Sequence, residues 1–232
     1  MGPEGIPLLI TIEGIDGSGK STLIAALRES LADLDPVFTR EPGSTWVGDA
    51  VRRAIAEKAD PVTEALLFAA DHAAHLETVV RPALRAGRLV ISDRYADSRY
   101  AYQAAMLEGW IPDLAKVRDR PGGRGAPRGM IPDPLAWLRS IHDGWTIIPD
   151  RTFLLLVPVE KALERLPPGK GRDHFEDGPF LEKVQKNYLA LAEADPARFA
   201  LGDALLPAGE IHGFAGSGIR ELARRPRSLR RR

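Results

Sequence analysis

At 232 residues, with 44% hydrophobic and 28% charged side chains, the chain has the composition of a folded globular protein and enough length for one α/β domain with a sizeable core. Lys plus Arg and Asp plus Glu both number 32, so the formal net charge is zero and nothing draws the molecule as a whole toward nucleic acid or an anionic membrane. There is no cysteine, hence no disulfide framework or thiolate nucleophile, and no apolar run approaches the ~18 residues of a membrane span; a cytoplasmic protein is expected.

Leu8-Leu9-Ile10-Thr11-Ile12 is a short apolar run that ends near glycine, the pattern of a buried strand. From Ser21 the residues Leu23, Leu27 and Leu31 recur every four positions and predict a helix with one buried face. Val37-Phe38-Thr39 predicts a second strand, and the Pro42-Gly43 turn leads into a helical pattern over 51–55. Pro61 suits the first turn of a long helix carrying Leu66, Leu67, Phe68, His72 and Leu76, which Gly87 ends. Leu89-Val90-Ile91 and residues 153–157 are two more apolar runs, each followed by a helix-like segment. Further helices are predicted over 159–166, 180–194 and 210–224, with a weak edge strand at 199–201. Between 111 and 145 the periodicity breaks down, and residues 121–129 read as a mobile surface loop. Near the C-terminus, Arg224, Arg225, Arg227, Arg230, Arg231 and Arg232 crowd around Pro226, and the basic stretch 220–232 reads as a solvated tail. Strands alternating with helices predict a parallel sheet of about five strands with helices on both faces, in a single domain over 1–232.

Gly14-Ile15-Asp16-Gly17-Ser18-Gly19-Lys20-Ser21 matches G-x-x-x-x-G-K-[ST], between a buried strand and a helix start, which is the setting of a P-loop NTPase fold. Gly14, Gly17 and Gly19 let backbone N–H groups turn inward on phosphates, with Asp16, Ser18 and Thr22 in the same cradle. Lys20 would reach the β- and γ-phosphates of ATP, and the Ser21 hydroxyl would ligate Mg²⁺. Asp93, at the end of an apolar run, is the candidate second metal ligand; without the phosphate loop it would read as a turn residue or helix cap. Arg94 follows it and can engage phosphate oxygens bidentately.

A phosphate loop leaves switches, motors and kinases open. Thr39-Arg40-Glu41-Pro42-Gly43, Leu67-Phe68-Ala69-Ala70-Asp71, Asp93-Arg94-Tyr95 and Ala101-Tyr102-Gln103 occur in an order and spacing that resemble thymidylate kinase. The resemblance runs from about Leu8 to Asp203, apart from 111–145, which is longer than the usual connection. It implies ATP and dTMP as substrates, Mg²⁺, and a homodimer. It also implies that Arg40 and Arg94, in motifs that bring Glu41 with them, hold the acceptor's 5′-phosphate, that Phe68 stacks on the base and that Gln103 lies near it. Asp16 would lie near the sugar 3′-hydroxyl, with Tyr102 crowding the 2′ position. On pattern alone Phe68 reads equally as core. Residues 165–178 resemble the family's lid, whose Lys170 and Arg172 would neutralise transition-state charge in place of the P-loop arginine that one branch carries where this chain has Gly17.

Three positions depart from the family pattern. His72 stands where an arginine commonly contacts the base, and Asp173-His174 stands where the lid has Asp-Arg. Arg99 occupies a position that is usually small and polar, and is expected to replace the missing arginine as donor to a thymine carbonyl. The alternatives are a kinase for another nucleoside monophosphate such as dUMP, or a P-loop nucleotide-binding module; no Asn-Lys-x-Asp sequence for reading guanine occurs.

Overall fold

The computed structural model describes residues 7–110, 131–166 and 178–224. Strands β1 (Leu8–Glu13), β2 (Val37–Arg40), β3 (Leu89–Asp93), β4 (Arg151–Leu156) and β5 (Phe199–Asp203) form one sheet in the order β2-β3-β1-β4-β5, with every neighbouring pair parallel. All six residues of β1 are buried. Side chains alternate across a strand, and here Leu8, Ile10 and Ile12 enter one apolar cluster while Leu9 joins Val80 and Val90 in another, so both faces of the sheet are covered. The register places Ile12 and Arg40 on either side of Asp93, which gathers the loops after β1, β2 and β3 at one edge of the sheet.

The helices are α1 (Lys20–Ser30), α2 (Trp46–Glu57), α3 (Pro61–His75), α4 (Arg81–Arg85), α5 (Ala96–Leu107), α6 (Pro134–His142), α7 (Val159–Arg165), α8 (Gly178–Ala194) and α9 (Ala208–Arg224). Local chemistry fixes several starts. Thr45 caps α2 by accepting from Gly48 N, and Asp60 caps α3 by accepting from Val62 N and Thr63 N, with Pro61 in the first turn. A π turn over Leu76–Val80 joins α3 to α4 just ahead of Pro82, whose ring and missing N–H interrupt an ordinary helical ladder.

The expected elements are present with ends shifted by one to a few residues. The difference is α6, which lies inside the region 111–145 where the sequence pattern breaks down; Asp133 caps it by accepting from Ala136 N, and Pro134 opens it. The loop expected at 121–129 lies outside the described residues, as does the basic stretch beyond Arg224; the part of the expected tail at 220–224 is instead the last turn of α9, where Leu222 is buried and Arg220 pairs with Asp33 at 2.7 Å.

Candidate active site

The loop between β1 and α1 depends on glycine at two positions. A Cβ at Gly14 (φ +141°) would meet the Leu155 carbonyl oxygen at 2.6 Å, and one at Gly17 (φ +80°) would meet the Ala162 carbonyl oxygen at 2.2 Å. The backbone of α7 therefore occupies the space that a side chain at 17 would need, and the arginine found there in one branch of the resembled family has no room. Lys20 opens α1, and its Nζ donates to the carbonyls of Gly14 and Ile15 at 2.9 Å each. Burial pushes Lys20 down to about 8, Arg94 pushes the same way, and Asp16, Asp93 and Glu13 oppose them. Two buried acceptors at this edge, Ser18 Oγ and Asp93 Oδ1, have no hydrogen-bond partner among the described residues. Ser21 is exposed in the first turn of α1. Among the described residues no cluster of three or more His, Asp or Glu could hold a metal alone. The orphaned Asp93 oxygen and the exposed Ser21 hydroxyl fit a divalent ion shared with phosphates better than an all-protein cage.

Arg94 leaves β3 with φ +65°, a left-handed conformation that a non-glycine residue keeps only when its surroundings impose it. Ser92 Oγ donates to the Arg94 carbonyl at 2.7 Å, and Arg94 N donates to Ile12 O at 3.0 Å. The guanidinium then has three protein partners: Nη2 donates to Asp16 Oδ1 at 2.5 Å and to the Tyr102 hydroxyl at 3.2 Å, and Nη1 donates to Ser98 Oγ at 3.2 Å. Burial acts to raise the Asp16 carboxyl, but Arg94, Lys20 and the Tyr102 hydroxyl outweigh it and hold the group below its ordinary value. The aspartate is therefore ionised at neutral pH.

A cavity of about 180 Å³ opens beside this pair. Of the acceptor residues expected from sequence, Asp16, Arg94, Phe68, Tyr102 and Gln103 line it, as do Glu41 and Arg99. Pro42, Ile55 and Ser98 complete the wall. Arg99 is 2% exposed and already has protein acceptors: Nε donates to Phe68 O at 3.0 Å, Nη1 to Tyr95 O at 2.7 Å, and Nη2 pairs with Glu41 Oε2. One N–H on each of Nη1 and Nη2 has no further acceptor among the described residues.

Two expected site residues fall elsewhere. His72 is fully buried behind Glu41, with Nδ1 at 2.8 Å from Glu41 Oε1 and Nε2 at 2.7 Å from Thr146 Oγ1, so it is a support for Glu41 and not a cavity residue. Its neighbour in space, His75, bonds the same Glu41 oxygen at 2.6 Å and Thr39 Oγ1 at 2.6 Å. With Thr hydroxyls on both Nε2 atoms, the carboxylate is satisfied by two neutral imidazoles that donate from Nδ1. Arg40 is exposed and lines a separate groove with Arg28, Ser44, Thr45 and Asp93. Lys170, Arg172, Asp173 and His174 lie outside the described residues.

Sequence reading missed a second cavity, of about 270 Å³, on the other side of the glycine loop. Ser18, Gly19 and Thr22 line it together with Arg165, Ala204, Leu206 and Ile211. Arg165 Nη2 donates to Ala204 O at 3.0 Å, joining α7 to the loop after β5. An arginine ending a helix carried no signal that it would border a largely apolar cavity.

Comparison with known proteins is consistent with this geometry. The thymidylate kinase family model matches residues 12–117. A "probable thymidylate kinase" of Methanoculleus marisnigri is 62% identical over 225 residues, covering 95% of this chain and 100% of the relative. Those of Methanospirillum hungatei and Methanocorpusculum labreanum are 56% and 50% identical, over 92% and 94% of this chain and 94% and 100% of each relative.

Proposed function

This chain belongs to the thymidylate kinase family, and from that premise we propose that it transfers the γ-phosphoryl group of ATP to dTMP, giving dTDP and ADP for dTTP synthesis. The observation that carries the reading is Arg94: one guanidinium lines the acceptor cavity and is bonded to Asp16 of the phosphate loop, so the two substrates meet at a single cation.

The chemistry needs little covalent help from the protein. The acceptor is a phosphate monoester with a second pKa of about 6, so its attacking oxygen is already anionic near neutral pH and needs no general base. The task is to hold two anions together in line and keep water away. Lys20 serves the β- and γ-phosphates, while Arg94 serves the acceptor's phosphate from inside the cavity and Arg40 from the groove beside Asp93. Phe68 stacks on the base, and Gln103 and Arg99 face its polar edge. Tyr102 and Asp16 flank the sugar. Arg165, Ala204, Leu206 and Ile211 offer the base of ATP an apolar slot with a cationic wall. Ser21 and Asp93 would hold Mg²⁺, which when bound would neutralise phosphate charge. Lys170 and Arg172, in the lid over 165–178, add charge at the transferring group.

The same reading takes residues 1–232 as one domain with an insertion at 111–145 and a basic tail beyond α9, working in the cytoplasm on nucleotides alone. A homodimer is proposed as well, supported by Trp46 (80% exposed) and Leu66 (47% exposed) on α2 and α3, which pack against each other. The test is dTMP-dependent release of ADP from MgATP. Activity lost in Lys20→Ala supports the reading, and ADP release at the same rate with or without dTMP overturns it.

A further inference from the structure

Glu13 is the last residue of β1, one position before the glycine loop, and its side chain is fully buried. Burying a carboxyl is costly, and an apolar residue of the same volume would pack there at least as well. Its hydrogen bonds are one-sided. Oε2 accepts from Ser98 Oγ at 2.6 Å and from the Tyr188 hydroxyl at 2.8 Å, whereas Oε1 has no partner among the described residues.

With Glu13 ionised, proton counting fixes the direction of this network. Ser98 has a single hydroxyl proton; it accepts from Arg94 Nη1 at 3.2 Å, and it donates to Glu13. Tyr188 likewise spends its proton on Glu13, so the 2.8 Å approach of the Ser98 and Tyr188 oxygens reflects two hydroxyls converging on one carboxylate oxygen. The chain of donation therefore runs from Arg94 to Ser98 to Glu13. Donating to a carboxylate makes the Ser98 oxygen a better acceptor for the arginine.

On its other side Arg94 is held by Asp16 at 2.5 Å. Two acceptors on different nitrogens fix both the position and the plane of the guanidinium, which leaves Nε–H and one Nη1–H without a protein acceptor among the described residues. We propose that Glu13 is a positioning residue for the acceptor's phosphate: acting through Ser98, and anchored by Tyr188 of α8, it orients the Arg94 guanidinium toward the cavity. This rests on the reading that Arg94 takes that phosphate.

The groups facing Glu13 are Arg94, Ser98 and Asp97 beside or on α5, Tyr188 of α8, and at longer range Lys20 and Arg99. Burial first, and Asp97 second, push the Glu13 carboxyl up to about 7 against the pull of Ser98, Arg94 and Tyr188.

A double-mutant cycle on the purified full chain tests the proposal, reading KM for dTMP, KM for ATP and kcat. Glu13→Leu and Ser98→Ala are each expected to raise KM for dTMP about ten-fold, with KM for ATP unchanged. Glu13→Gln, which keeps an acceptor oxygen, is expected to stay within about three-fold of the parent. In the Ser98→Ala background, Glu13→Leu should add nothing, because its path to Arg94 is already cut. Tyr188→Phe supplies a milder probe of the same carboxylate if Glu13→Leu folds poorly, and is expected to raise KM for dTMP less than Ser98→Ala does. Additive effects in the cycle, or equal losses for both substrates, would overturn the positioning role. Absence of dTMP turnover in the parent protein would instead remove the reading it rests on.

Discussion

Arg94 Nη2 and Asp16 Oδ1 lie 2.5 Å apart, so a residue leaving β3 is held by a residue of the loop that follows β1. The pair joins two residues that the chain keeps 78 positions apart, one in the glycine loop and one in the wall of the cavity. Its aspartate is held ionised by the arginine it fixes, and its arginine is held in a strained backbone conformation that only this setting explains.

Arg94→Lys keeps the charge but loses the planar fork that bonds Asp16, Tyr102 and Ser98 at once. Steady-state kinetics should show kcat/KM for dTMP reduced by about 10²-fold or more, with binding of ATP changed far less. A lysine variant within two-fold of the parent would mean that the fork geometry is unimportant.

Gly17→Ala places a methyl group 2.2 Å from the Ala162 carbonyl oxygen, at a φ that costs an L residue roughly 1–2 kcal/mol in addition. We expect a lower midpoint in urea unfolding and weaker ATP binding, because relief requires the loop to move off α7. Gly19→Ala, where a Cβ would meet nothing within 4 Å, shares the positive φ without the clash and should cost less.

Stability should rise with pH between about 4.5 and 6.5. Burial lowers His72 to about 3 and His75 and His142 to about 4, below the ordinary 6.5, so in that window the unfolded chain binds protons that the folded chain does not. Their contribution is fully present above 6.5 and is lost as pH falls. Glu13, raised to about 7 from 4.5, acts in the opposite sense over 4.5–7, and Asp71, whose carboxyl burial also raises, acts with it, but they are two groups against three. The limit is about 1.4 kcal/mol per pH unit for each histidine. Urea unfolding at pH 5 and pH 7 checks the sign; a protein equally stable at both would contradict it.

Asp97 and Arg198 form a second buried pair, with contacts of 2.5 and 3.0 Å and Thr152 bonded to both. It ties α5 to the approach to β5, and Thr152 carries it on to Thr11 of β1 at 2.8 Å. Arg198→Ala leaves the Asp97 carboxylate in a site where its side chain is 3% exposed, and should cost roughly 3–5 kcal/mol in chemical unfolding. Replacing both residues with apolar ones should cost less than that single change.

Strand positions and the phosphate loop were legible in the sequence because buried parallel strands are apolar runs and the loop's chemistry is bound to its spacing. The faces of α3 were not. That helix buries Asp71 and His72 and leaves Leu66 47% exposed, so apolar periodicity points the wrong way. Asp71 earns its burial by accepting from Gly43 N through both oxygens, and His72 by supporting Glu41; each partner lies about thirty positions away and no local pattern announces it. Helix α6 was not legible, because periodicity breaks down over 111–145 and its capping start at Asp133-Pro134 is too short a signal to stand alone. Glu13 escaped notice because an acid ending an apolar strand reads as a turn residue until Ser98 and Tyr188 are brought to it.

The most direct test of the central claim is a comparison of kcat/KM for dTMP, dUMP, dCMP, dGMP, AMP and UMP with MgATP, with formation of the diphosphate measured alongside ADP. The result expected is dTMP as the best acceptor, with dCMP poor because its exocyclic amine would face the donors left on Arg99, and UMP poor because Tyr102 would crowd the 2′ position. A different monophosphate favoured over dTMP would leave the phosphate site standing and contradict the account of the base pocket.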